Sequence, residues 1–397
     1  MTPRTIAKQL VFILFCSISY IQSYAMGNLS PAEKLMNYTY LGQLSTDEAQ
    51  TVLQKMPPLD SLQANYPLTL YKINYQTLAP NGDTTIASGL VAMPVLPQKS
   101  ASIVSYQHGT RVTRDDVPSR NNERNYVYLA TFGSYGGNMV VMPDYLGLGD
   151  NDLSVHPYVV AESLANSSID MLIAAKELAK ALKFPVNETL YLAGYSEGGF
   201  STMVMYEELL KNHPDLPVTA AAPGSAPYDW HETIPFITLK PGPRATLYLA
   251  YFFYSCQTYN NYWTGMDEIF TKPYDTLIPV LFDGYHLIAE IQQALPLDPQ
   301  LIFQPAFFES LINDTDRNLD QLQKNFNHYD FIASSPLLLV GTKGDNDVPY
   351  EGAEIAYNVL KSKSDNVYIK HVSDVLDHVE ALPFVLKEQL EFFKHYQ

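Results

Sequence analysis

Leu190-Tyr191-Leu192-Ala193-Gly194-Tyr195-Ser196-Glu197-Gly198-Gly199-Phe200 is the stretch whose reading decides the fold. It begins as an apolar, β-favouring run, turns sharply at Gly194-Tyr195-Ser196-Glu197-Gly198, and passes into residues 201–210, whose apolar spacing is helical. Strand, tight turn and helix in that order are the setting in which G-x-S-x-G acts as a nucleophile elbow. Small residues at 194 and 198 leave room for a backbone that lifts the Ser196 hydroxyl over the sheet edge. The helix that follows directs its N-terminal amides, that of Glu197 first, at the place where an oxyanion would form.

Working outward, the chain before the elbow alternates strand and helix. Residues 68–75 and 84–94 are β-rich and flank Pro80-Asn81-Gly82-Asp83, a hairpin signal, so the domain is expected to open with an antiparallel pair. A strand over 101–106 ends in Gln107-His108-Gly109-Thr110, a helix is predicted over 126–132, and a buried strand over 138–142 runs into Pro143-Asp144. A long helix is predicted over 161–182, then the elbow, then a short strand at 218–224. Such βα units make a mostly parallel sheet covered on both faces, with function at the carboxyl ends of its strands. The expected fold is thus an α/β fold, mostly parallel and opened by an antiparallel hairpin, with an inserted helical cap.

That insertion is read from residues 225–330, where the alternation lapses and aromatics crowd together, as in 247–254, Tyr259-Asn260-Asn261-Tyr262-Trp263 and Phe303-Gln304-Pro305-Ala306-Phe307-Phe308. Most of these rings belong to the cap's own core, and a few are expected to line an apolar acyl pocket. The core resumes at 331–397 with a strand at 336–341, a helix at 350–361, a strand at 366–372 and a closing helix at 382–396. Residues 26–66, which carry weak helical patterns such as Ser30-Pro31-Ala32-Glu33-Lys34-Leu35-Met36, read as an N-terminal arm on the 67–224 core.

The first 25 residues stand apart. Arg4 and Lys8 precede an uncharged apolar run over 10–21, and Ser23 and Ala25 suit a signal-peptidase site, so a cleaved signal peptide and a secreted or periplasmic protein are expected. Its removal would shift the net charge from −17 to −19 and leave Cys256 as the single cysteine, which rules out an internal disulfide. A strongly acidic chain without a basic run is not expected to bind nucleic acid. No metal-ligand spacing is present, and Gly147-Leu148-Gly149 is too short for a dinucleotide fingerprint, so neither metal nor cofactor is expected.

A serine hydroxyl needs an imidazole to take its proton and a carboxylate to fix that imidazole's tautomer. On this topology the order is serine, acid, histidine, each after a strand. Ser196 is followed by Asp345, with Asp347 as the alternative acid, and then by His378. Asp345 lies nearer its strand, whereas Asp347, beside Val348-Pro349, could cap the next helix. The competing histidine, His371, falls inside a strand and is expected to point into the sheet's packing. Thr110 is the candidate second oxyanion-hole residue, through its backbone amide, with Glu197 as the first. His108 reads as a structural hydrogen-bonding residue.

These residues resemble the α/β-hydrolase superfamily and, more narrowly, its secretory lipase-like group of extracellular esterases and lipases. The resemblance rests on Tyr106-Gln107-His108-Gly109-Thr110, on Pro143-Asp144-Tyr145-Leu146-Gly147-Leu148-Gly149, on the elbow, on Asp345-Asn346-Asp347-Val348-Pro349 and on Asp377-His378-Val379-Glu380-Ala381-Leu382-Pro383-Phe384. It spans residues 67–397 and implies a serine esterase or lipase. In that group the acid lies four residues before the Pro of a Val-Pro pair, which carries over to Asp345. The extra residue in Gly341-Thr342-Lys343-Gly344-Asp345 departs from the commoner spacing and keeps Asp347 open. The expected activity is hydrolysis of carboxylic esters, acyl lipids first among them, with transient contact with a lipid surface. A serine peptidase on the same fold and a non-catalytic binding module are the alternatives.

Overall fold

The computed structural model describes residues 23–25, 33–96, 99–120 and 123–397. The expected signal segment lies outside them except for Ser23–Ala25, which forms β1. The remaining strands are β2 (Leu35–Leu44), β3 (Leu68–Leu78), β4 (Thr84–Pro94), β5 (Ala101–Gln107), β6 (Met139–Pro143), β7 (Val186–Tyr195), β8 (Ala220–Gly224), β9 (Leu337–Gly341) and β10 (Val367–His371). They form one ten-stranded sheet in the order β1-β2-β3-β4-β6-β5-β7-β8-β9-β10. From β6 to β10 every pairing is parallel, and from β1 to β4, and between β4 and β6, every pairing is antiparallel.

The arm reading needs correction. Residues 35–44 are not helical but form β2, which pairs along β3. Asn37-Tyr38-Thr39-Tyr40 is rich in β-formers, and Tyr38 and Tyr40 each set an edge against Tyr71 across the pair, which outweighs a weak helical spacing. The antiparallel part is therefore wider than one hairpin. The arm then gives α1 (Thr46–Gln54), whose start is fixed by a capping box between Ser45 and Glu48.

Tyr126–Tyr128 is α2, and it continues as π-helix over Leu129–Tyr135 rather than as the α-helix expected over 126–132. Next come α3 (Ala161–Ala181) and α4 (Glu197–Asn212). Between β8 and β9 lie α5 (Trp230–Leu239), α6 (Ala245–Asn260), α7 (Met266–Ile269), α8 (Tyr274–Leu281), α9 (Ile288–Ala294), α10 (Pro305–Ile312) and α11 (Leu319–Phe326). The chain closes with α12 (Tyr350–Lys361) and α13 (Leu382–Lys394).

Alternation along the central strands divides the core in two. Leu190 and Leu192 of β7 and Leu337 and Leu339 of β9 pack with α3, α4 and α12. Tyr191, Ala193 and Tyr195, with Leu338 and Val340, face α13, α1 and the 126–135 helix on the other side. After β5 the chain crosses to β6 on one side and then to β7 on the other, so the crevice beyond the carboxyl ends of β5 and β7 is the topological switch point.

Candidate active site

Ser196 lies in that crevice, at the N-cap of α4, with φ 61° and ψ −126°. A positive φ at a residue with a side chain is strained, and steric need for the two flanking glycines shows what holds it there. A Cβ on Gly198 would fall 1.9 Å from the Gln107 carbonyl oxygen, and one on Gly194 would fall 2.1 Å from the Gly198 carbonyl oxygen. The helix can start so close to β5 only because both positions lack side chains. Ser196 N–H donates to Gly224 of β8 at 2.9 Å, which ties the elbow to the neighbouring strand.

His378 and Asp345 come from the loops after β10 and β9. Asp345 Oδ2 accepts from His378 Nδ1 at 2.7 Å, and both side chains are buried. Asp345 Oδ1 accepts the backbone N–H groups of Asp347 and Val348, each at 2.9 Å. The imidazole is thus held by an acid that is itself fixed by backbone amides, leaving Nε2 as the ring nitrogen for other work. Tyr195, the residue before the serine, donates its hydroxyl to the His378 carbonyl at 2.6 Å. Ser196 and His378 line one cleft.

Asp347 has different company. It pairs with Arg244, which precedes α6, through Nε at 2.7 Å and Nη2 at 2.5 Å. It does not cap α12, whose N-cap is Pro349 with no side-chain bond. The expectation for His371 also needs correction in its reason. β10 is an edge strand, so His371 is exposed and pairs with Asp374 at 3.4 Å instead of pointing into packing. His108 is fully buried, with Nδ1 2.8 Å from the Gly109 carbonyl and Nε2 3.3 Å from that of Asp144. Burial, reinforced by Arg111, pushes its pKa down to about 3, so it stays neutral and structural.

The loop after β5 presses on the elbow: a Cβ on Gly109 would lie 3.5 Å from Ser196 Cβ. Thr110 lines the same cleft as Ser196, and its hydroxyl is 3.1 Å from that of Tyr158. Glu197, first residue of α4, cannot use its N–H within the helix.

The Glu197 side chain was not legible as a site. Its Oε1 lies 2.7 Å from His156 Nε2, and both side chains are essentially inaccessible. His156 Nδ1 lies 2.7 Å from the Leu146 carbonyl, an acceptor only, so Nδ1 must carry a hydrogen. Nε2 and Oε1 can approach to 2.7 Å only with a second proton between them. The pair is either imidazolium with carboxylate or imidazole with carboxylic acid. Only the acidic x of G-x-S-x-G hints at it in the sequence; His156 carries no motif.

Two cavities meet at Ser196. One, narrow at about 50 Å³, is walled by Ile234 and Ile237 of α5, Leu249 and Phe252 of α6, Phe326 of α11 and Val348. The other is a wide cleft of about 500 Å³ that takes in Thr110, Ser196, Tyr248 and His378. Of the aromatics between β8 and β9, Phe253, Trp263, Phe303 and Phe307 meet edge to face or tilted as a core of their own, while Phe252 reaches the narrow cavity. Among the described residues no three His, Cys, Asp or Glu side chains are grouped to hold a metal ion. No helix among them is long and apolar enough to cross a membrane.

No family model and no curated protein shows a significant match to the sequence. Solved structures do. A Legionella pneumophila protein with a provisional hydrolase designation is 65% identical, with a TM-score of 0.91, over 92% of this chain and 98% of its own. The rice cell wall degrading esterase LipA of Xanthomonas oryzae superposes with a TM-score of 0.83 at 24% identity, over 92% of this chain and 100% of its own. Candida antarctica lipase A in its closed state gives 0.70 at 15% identity, over 91% of this chain and 81% of its own. Below 25% identity these last two speak for the fold, and the first carries the relationship in sequence: the chain belongs to the same hydrolase family as the Legionella protein, on the α/β-hydrolase fold that it shares with the esterase and the lipase.

Proposed function

We propose that the protein is an exported serine hydrolase of carboxylic esters, with Ser196 as nucleophile, His378 as general base and acid, and Asp345 as the group that orients His378. The observation that carries the reading is a serine at φ 61° on a helix N-terminus, sharing a cleft with an imidazole whose Nδ1 is held 2.7 Å from a buried carboxylate. His378 Nε2 takes the Ser196 proton as Oγ attacks the ester carbonyl. The N–H groups of Glu197 and Thr110 bind the oxyanion. His378 then protonates the leaving alcohol, and water, activated by the same nitrogen, hydrolyses the acyl-enzyme.

Residues 225–330 serve as a cap. The narrow apolar cavity takes the acyl half, because only apolar walls gain from a hydrocarbon chain. The wide cleft, with its polar and charged rim, takes the alcohol half. Export rests on the charged and apolar pattern of residues 1–25.

Hydrolysis of p-nitrophenyl esters from acetate to palmitate tests this, with Ser196→Ala as control. Activity on short to medium chains that vanishes in the variant is expected. Equal inertness of both proteins would defeat the reading.

A further inference from the structure

Arg111, one residue beyond Thr110, is a cation with little to hold it. It is 6% exposed and lines the wide cleft beside Ser196 and His378. A guanidinium has five N–H donors, and a buried one is ordinarily bonded through several of them. Here Nε–H has no hydrogen-bond acceptor, and the contact with Asp116 is an ion pair at 3.8 Å, too long for a hydrogen bond. A purely structural arginine would be expected to close that gap, since an unmet buried donor costs stability.

The surroundings share its sign. The charged residues along the cleft are Arg111, Arg124, Arg244 and a single carboxylate, Glu123, in a chain whose net charge is −17. Arg124 is ion-paired with Asp116 and Arg244 with Asp347, so both heads are held by carboxylates. Arg111 is also close enough to Arg124 to help lower the latter's pKa, second to burial. Three guanidiniums at one opening favour the approach of an anion there, even with Asp116 and Asp347 paired to them.

We infer that the cleft recognises an oxyanion on the alcohol half of the ester, phosphate or carboxylate, with Arg111 as the principal donor and Arg124 at the rim. This rests on the assignment of the wide cleft to the alcohol half. A planar guanidinium suits the paired oxygens of either anion. An acidic exterior would repel such substrates except at this opening, which makes the selectivity local.

The test compares kcat/KM for 1-hexanoylglycerol 3-phosphate with that for neutral 1-hexanoylglycerol, and for 3-(hexanoyloxy)propanoate with that for its methyl ester. The wild-type protein is expected to prefer the charged member by about tenfold or more, as a charge-assisted contact made in the transition state would give. Preference in both pairs assigns a general oxyanion site, and preference only in the first assigns phosphate. In Arg111→Gln the preference ratio should fall to near one. Because that variant could fold poorly, inorganic phosphate is also tested on the wild type as a competitive inhibitor of 1-hexanoylglycerol hydrolysis, and competition is expected. Hydrolysis of the neutral esters with no preference for the charged ones and no competition would overturn the inference while leaving the esterase reading intact. Inertness toward all four esters would overturn both.

Discussion

Replacing Asp345 with asparagine alters one atom of a carboxylate whose two oxygens have separate tasks. Oδ1 receives the N–H groups of Asp347 and Val348 at 2.9 Å, and Oδ2 receives His378 Nδ1–H at 2.7 Å. The two backbone donors can be satisfied only by the asparagine carbonyl oxygen, so its NH₂ must face Nδ1. Nδ1 then has to accept, and the imidazole hydrogen moves to Nε2, the nitrogen that should receive the Ser196 proton. Wrong tautomer with intact geometry costs roughly 10³- to 10⁴-fold in kcat, about 4–5.5 kcal/mol of transition-state stabilisation. Asp347→Asn touches the Arg244 pair instead. It should lower stability by about 1.5–3 kcal/mol, as weakening a hydrogen bond to a charged group does, and lower kcat/KM by less than about tenfold. The assay is steady-state hydrolysis of p-nitrophenyl butanoate beside urea denaturation of each variant. The reasoning is refuted if Asp347→Asn suffers the thousandfold loss and Asp345→Asn stays active.

Three further outcomes follow from the geometry around the elbow. Glu197→Ala strands His156 in a sealed site and should cost about 3–5 kcal/mol in urea denaturation, while Glu197→Gln, which can donate its amide to Nε2, should cost about 1 kcal/mol or less; equal stability of Ala and Gln variants would contradict a proton-bearing pair. The His108 imidazole takes its proton near pH 6.5 in the unfolded chain but at about 3 when folded, so the unfolded state binds more protons in between. Its contribution to stability is present above pH 6.5 and lost as pH falls toward 3, with a slope of up to about 1.4 kcal/mol per unit. His108→Gln should flatten that slope between pH 6.5 and 4, and an unchanged slope would assign acid lability elsewhere. Ile237→Trp should fill the narrow cavity and lower the hexanoate-to-acetate ratio of kcat/KM by about tenfold or more, on the scale that a few methylenes are worth in an apolar pocket; an unchanged ratio would mean that the acyl chain lies elsewhere.

The elbow was legible because it is a local device: strand, strained serine and helix start are contiguous, and the glycines are demanded by contacts within a few residues or with the adjacent strand. The alternating apolar runs of β5, β7 and β9 likewise face both sides of one sheet, which is a property of period two alone. What escaped depended on distant partners. β2 is a strand because β3 offers it an edge and a tyrosine to pack on. Sequence spacing favoured Asp345 but kept Asp347 open, and the two separate in space because Asp345 meets His378 while Arg244, about a hundred residues earlier in the chain, pairs with Asp347. Arg111 and His156 had no motif to announce them, and the elbow motif marked the Glu197 amide but not its buried side chain, since a buried charge is recognised by its surroundings. His371 was set aside for a faulty reason: it is the last residue of the edge strand β10, where the side chain is exposed, although Val367 at the start of that strand is buried.

The account depends above all on Ser196 being an activated nucleophile. Incubating the folded protein with a fluorophosphonate and locating the adduct by peptide mass spectrometry tests that directly. One adduct per chain on Ser196, absent from Ser196→Ala and greatly slowed in His378→Ala, is the predicted result. A folded protein that takes no label, or takes it at another residue while Ser196 stays unmodified, would contradict the central claim.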